Sequence, residues 1–351
     1  MNSRNKLYLV AVGLLILALA ILLWSPEPRR SHSAATPERS RPVNRPPLTT
    51  EALRETRRAK EFQPLAKLVS KDQFRKLSRQ EIDDHVEAQH RSMDSLLSAF
   101  RLSEDPAYLK EALANFPNHP QVLLCALRAT SDPAKRLEQL ESFKRADPRN
   151  GIGNCLAARA LFDLGRNDEA FAELLQLHGK PIQDFMTSSC QSDEEAYLTA
   201  GFSPIRAKMT SLFGASKPEL AHISGITRKL DELRANYASA GDTAAVQSVR
   251  EIQSGMANQL QQDPTVIGEL VGIAAEKGAL KGLDDPESIA RLEEIDRQKK
   301  SLVEGINKVE ALMQSATVPE ADWLLYFDRT KLFGEKAAMN WMLGKYPDLL
   351  E

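Results

Sequence analysis

A chain of 351 residues with 42% hydrophobic, 27% charged and 6% aromatic side chains is long enough for one large or two medium domains. Ala, Leu, Glu, Lys, Arg and Gln dominate and alternating β-branched runs are almost missing, which points to an all-α fold. The formal net charge of −2 is unevenly spread: residues 1–50 carry a surplus of five positive charges, leaving residues 51–351 at −7. Such an acidic body excludes a nucleic-acid groove built on clustered Lys and Arg, and three cysteines, Cys125, Cys155 and Cys190, exclude a disulfide framework or a CxxC metal site.

Leu7 to Trp24 is an eighteen-residue run without a charge, preceded by Arg4 and Lys6 and closed by a tryptophan of the kind found at membrane interfaces. Residues 1–24 are therefore expected to be a signal anchor with a single N-terminal transmembrane helix at 7–24, its partner the lipid bilayer. A cleaved signal peptide is the alternative, but its apolar region is usually shorter and ends in a small-residue site. A short basic head before a long polar body places the body on the periplasmic or extracytoplasmic side. Arg29, Arg30, Arg39, Arg41 and Arg45, just after the apolar run, keep the cytoplasmic face open as the alternative.

Residues 25–50 hold six of the nineteen prolines and no apolar periodicity, the composition of a disordered linker. In polyproline-like geometry, at roughly 3 Å per residue, it reaches up to about 80 Å. From Thr50 onward the pattern is helical. One helix is expected over Glu51 to Val69, and another runs from Ser78 through Phe100, with Ile82, Val86, Met93, Leu96 and Leu97 on one side. His85 and His90 lie five residues apart, which turns them to different sides and places them on solvated surface rather than on a metal.

Within the helical region 51–181 the clearest organisation lies at 117–181. Asp105-Pro106 opens a helix to Asn115, a second follows from about Gln121 to Thr130, and Ser131-Asp132-Pro133 turns into a third that ends near Asp147-Pro148. Ile152 to Leu164, a turn at Gly165-Arg166-Asn167, and Asp168 to Leu177 repeat the pattern, and proline at 117, 148 and 181 punctuates it at intervals of 31 and 33. In ALFDLGRNDEAFAEL, Leu161, Gly165, Ala170 and Leu174 occupy the places of a large first-helix residue, a turn glycine, a small second-helix residue and an apolar residue after it. The preceding copy keeps Leu123, Leu127, Leu140 and Asp147-Pro148, with Arg136 and Ser131 at the small and turn places.

This resembles the tetratricopeptide repeat, a helical hairpin that stacks into an α-solenoid. The resemblance implies TPR-like antiparallel hairpins whose first helices line a partner-binding face. In this chain those places are Gln121, Cys125 and Arg128 in one copy and Cys155, Arg159 and Asp163 in the next, so that Gln121, Arg128, Arg159 and Asp163 are the candidate partner-binding residues. Arg128 and Arg159 would offer guanidinium groups to carboxylates.

Thr187-Ser188-Ser189-Cys190 reads as a polar loop with an unremarkable exposed or half-buried thiol. Residues 182–351 form a more divergent helical region. Pro218 to Ala240 and Asp242 to Gln262 make a hairpin around Gly241, and a short apolar core helix spans Thr265 to Glu276. A long amphipathic helix fills 287–315, where Leu292, Ile295, Lys299, Leu302, Ile306, Val309 and Met313 alternate by three and four. Packing within the domain is the expectation for this seam. Its use as a homo-oligomer interface through Leu292, Ile295, Leu302, Ile306 and Val309 is the alternative. The last helices carry Trp323, Tyr326, Phe327, Phe333, Trp341 and Tyr346, which cap the array or form a partner-binding patch.

HExxH, GxSxG, a phosphate-cradling glycine loop and CxxC are missing, so no catalytic, cofactor-binding or metal residue is nominated and no cofactor is expected. The expected function is that of a membrane-anchored scaffold binding a protein partner. A self-associating envelope assembly protein and an enzyme of unrecognised type remain as alternatives.

Overall fold

The computed structural model describes Leu65, residues 75–215 and residues 217–349. The apolar run 7–24, the linker 25–50 and the helix expected over 51–69 lie outside these residues, apart from Leu65. Among the described residues every regular element is helical, and none is long and apolar enough to cross a membrane.

In chain order the helices are α1 (Arg79–Ala88), α2 (Met93–Ser103), α3 (Pro106–Asn115), α4 (Pro120–Arg128), α5 (Pro133–Ala146), α6 (Ile152–Asp163), α7 (Asn167–Leu175) and α8 (Met186–Thr199). They continue as α9 (Pro204–Gly214), α10 (Pro218–Ser239), α11 (Thr243–Leu260), α12 (Val266–Leu280), α13 (Pro286–Gln314), α14 (Glu320–Phe333) and α15 (Glu335–Lys345). Their beginnings follow local chemistry. Ser78 and Glu81 close a reciprocal capping box at α1. Asp105, Asp132 and Asp285 accept from backbone amides of the first turn, each followed by proline, which has no amide proton to leave unpaired.

Two boundaries depart from the sequence reading. The helix expected from Ser78 through Phe100 is two helices, because His90 and Arg91 both take left-handed backbone and Ser92 caps a new start by accepting from Ser95. The loop expected around Thr187 to Cys190 is helical and belongs to α8. Small side chains let it lie close to α2, where Ser192 Oγ donates to Asp94 O at 2.7 Å and Ser98 Oγ to Ser192 O at 3.4 Å. Cys190, expected at or near the surface, is buried with its Sγ 3.7 Å from Ser211 O. Tertiary packing overrides a polar local sequence here.

Each helix from α1 to α6 packs on the next. In the α6–α7 hairpin the turn glycine Gly165 has φ +73°, Leu161, Ala170 and Leu174 are buried, and Phe162 meets Phe171 edge to face at 5.9 Å. An open solenoid would carry each hairpin onto its neighbour. Here α8 returns instead to α1 and α2, and α10 lies along α6. α11 then packs on α10, α12 and α7, α13 on α12 and α15, and α14 on α9 and α15.

The interior has several apolar centres. One joins α1 to α4 with α8 and α9, and another lies between α4, α5 and α6. A third gathers α9 and α12 to α15 around Trp323 and Phe327 and includes Leu65. In α13, Ile295, Leu302 and Val309 are buried in this third centre, Ile306 packs against it, and Leu292 is half-buried. Four side chains of α10, Leu220, Ile223, Ile226 and Leu230, are buried. At about 2 kcal/mol each their burial amounts to roughly 8 kcal/mol. A ligand would need about micromolar affinity merely to replace them, so α10 is an integral layer of the fold.

Candidate functional site

The face expected to bind a partner, formed by α4 and α6, is covered by α8 and α10. Gln121 is buried, with Ser188 Oγ of α8 at 3.5 Å from its Oε1. Arg128 donates from Nε to Glu219 Oε1 of α10 at 2.6 Å, and the Glu219 side chain is 3% exposed. Cys125 and Cys155 are buried. Arg159 pairs with Asp163 one turn on, Nη2 to Oδ1 at 2.8 Å, and its guanidinium crosses α10 at Gly225, where a Cβ would stand 2.5 Å from Nη1. Arg128 and Arg159 are both half-buried, with side chains 25% and 31% exposed, and Asp163 at 41% is the most open of the four. Beside them His222 is half-buried. Burial lowers its pKa, and the nearby Arg136 acts in the same direction.

The same layer is rich in paired charge. Arg101 of α2 holds Asp193 of α8 through Nη2 at 2.6 Å and Nε at 3.1 Å. Glu194 of α8 receives Lys208 of α9 at 2.9 Å and Lys331 of α14 at 2.6 Å, tying three helices together. Such pairs favour one arrangement of the helices. Among the described residues no group of three His, Cys, Asp or Glu is placed to hold a metal. Burial pushes the Cys155 and Cys190 thiols up to about 12, the reverse of the environment that makes a nucleophilic thiolate.

His85, expected on solvated surface, is buried between α1 and α8. Its Nδ1 lies 3.3 Å from Thr199 Oγ1, and Nε2 has no partner among the described residues. Burial depresses its pKa, opposed by Glu195 and Asp193. The unfolded chain therefore binds a proton at higher pH than the folded one, and the stability contributed by neutral His85 is lost as pH falls through the ordinary histidine range. His222 acts with the same sign. Urea midpoints are expected to drop between about pH 7 and about pH 5, and His85→Phe is expected to flatten part of that slope.

A second concavity was not nominated from sequence. A trough of about 450 Å³ runs along the outer face of α11, bounded by His178 after α7 and floored by Ala279, Leu280 and Leu283. Gln247, Glu251, Ser254, Asn258 and Gln259 line it at helical spacing, around the small Gly255. Arg250 closes one end by donating to Lys281 O at 2.9 Å and to Ala279 O, which satisfies carbonyls at the C-terminus of α12. The signal available in the sequence was the polar face of Thr243–Leu260, with amides and small residues three and four apart.

Comparison with protein families, with curated proteins and with solved structures finds no match for this chain.

Proposed function

We propose that the protein is a membrane-anchored helical scaffold, its body periplasmic or extracytoplasmic, that binds an extended segment of a protein partner. The trough on α11 carries this reading. Its length along a rigid helix suits an extended chain, and the amides of Gln247, Asn258 and Gln259 can both donate to and accept from peptide groups beside the apolar Leu280 and Leu283. The tetratricopeptide-like face is less suited to this task, because Arg128 is already neutralised by Glu219 and α10 stands over it. Self-assembly through the α13 seam is likewise disfavoured, since Ile295, Leu302 and Val309 lie in the body's own core.

The test places a photo-crosslinking side chain, in separate variants, at Asn258, at Asp163 or at exposed Ser239 in the full-length protein in its native membrane. A discrete polypeptide adduct is expected from position 258 and not from 239. Equal labelling from both positions, or adducts from position 163 with none from 258, would overturn the trough. Protease accessibility in the same membranes reads the side that holds the body.

A further inference from the structure

We propose that the outer face of α14, together with Trp341 of α15, rests in the headgroup region of the bilayer that receives the N-terminal apolar run. This rests on the membrane-anchored reading and adds the orientation of the body. The inner face of α14 buries Trp323, Tyr326 and Phe327, yet its outer face exposes Leu325, Leu332 and Phe333, with Leu332 74% and Phe333 63% exposed. Leu325 and Leu332 are seven apart, two turns along one side of the helix. A helix apolar on both sides has a second apolar neighbour to meet.

The chemistry around this face matches a lipid interface. Arg329, one turn after Leu325, places its guanidinium 5.6 Å from the Phe333 ring and 4.9 Å from the Trp341 ring, whereas Lys345 Nζ, 5.4 Å from the latter, is already paired with Asp322 Oδ1 at 2.6 Å. Aromatic rings with cations stacked on them combine apolar insertion with attraction to phosphate. The body as a whole is acidic, so adsorption depends on this local arrangement rather than on net charge. A second copy fits less well, because twofold pairing of α14 around its exposed centre would set Arg329 against its own counterpart.

The course of the chain favours a bilayer over a protein as the occupant. Leu65 is 1% exposed in the centre formed by Trp323, Tyr326 and Phe327, against which Trp341 also packs. The described residue nearest in sequence to the apolar run therefore belongs to the same apolar centre as the inner face of α14.

The test reconstitutes the full chain, with Trp24→Phe, into phosphatidylcholine and phosphatidylglycerol vesicles whose acyl chains are brominated near the headgroup. The contribution of Trp341 is obtained by difference from Trp24→Phe with Trp341→Phe, since Trp323 is buried. Incorporation is scored separately by resistance to alkaline extraction. Incorporation is expected together with a loss of Trp341 emission, as for an aromatic ring held at the headgroup level, and Leu332→Asp with Phe333→Asp abolishes that loss while incorporation persists. Incorporated protein whose Trp341 is not quenched overturns the orientation and leaves the anchor standing, and a protein partner becomes the occupant to seek. Failure to incorporate overturns both.

Discussion

Arg128→Ala is expected to lower the stability of the body by about 3–5 kcal/mol, read as a fall in the urea midpoint followed by far-ultraviolet circular dichroism. Glu219 is the reason. Its carboxylate sits between α4 and α10, accepts at 2.6 Å from Arg128, and has a second oxygen with no partner among the described residues. Removing the guanidinium strands a buried charge, and water cannot reach a side chain that is 3% exposed without opening the helix interface. The asymmetry provides a control: Arg128→Met with Glu219→Leu removes both charges and is expected to recover most of the loss. A loss below about 1 kcal/mol for the single change is the behaviour of a surface pair, and it would mean that α10 does not close over this face. A functional test by Arg128→Glu is confounded for the same reason, since it would set two carboxylates together in the interior.

Gly334→Ala is expected to cost about 3 kcal/mol, as a sum of backbone strain and overpacking each worth about 1–3 kcal/mol. This glycine joins α14 to α15 with φ +87° and ψ 161°, a conformation nearly closed to L side chains. A Cβ there would meet Pro264 O at 2.8 Å, and that carbonyl also accepts from the Glu335 amide at 2.7 Å. The substitution must therefore displace the turn before α12 as well as its own backbone. Gly165→Ala separates the two contributions. Gly165 has a similar φ of +73° but nothing within 4 Å of its Cβ position, so only the conformational cost of about 1 kcal/mol is expected. Thermal midpoints of the two variants should differ by several degrees, and equal midpoints would remove the packing part of the argument.

Local chemistry was legible in the sequence and long-range destinations were not. Asp105, Asp132 and Asp285 before proline announce helix starts within a residue or two, Gly165 marks a real left-handed turn, and the three-and-four spacing from Leu292 to Met313 identifies a helix that buries one side. Periodicity states which side of a helix is apolar but not which helix covers it. Hence the start of α8 reads as a loop from sequence, because Thr187, Ser188 and Ser189 show no apolar periodicity until α2 supplies the surface against which small residues pack. The break at His90 and Arg91 was hidden by apolar residues that continue in phase on both sides. The face of Gln121, Arg128, Arg159 and Asp163 was found as a face, while its covering by α10 depended on contacts between residues about 90 apart, such as Arg128 with Glu219. The trough on α11 went unnoticed because solvated amides on a helix surface resemble any other polar face.

Amide hydrogen exchange on the full-length protein addresses most directly whether the fold closes over its repeat-like face. The amides of Leu220 to Leu230 in α10 are expected to exchange only through global opening, with the same protection as Leu156 to Leu161 in α6, and both to lose protection together as urea is added. Exchange of α10 through a local opening well below the global free energy, with α6 still protected, would contradict it. Arg128 and Arg159 would then stand on a face that opens to a partner.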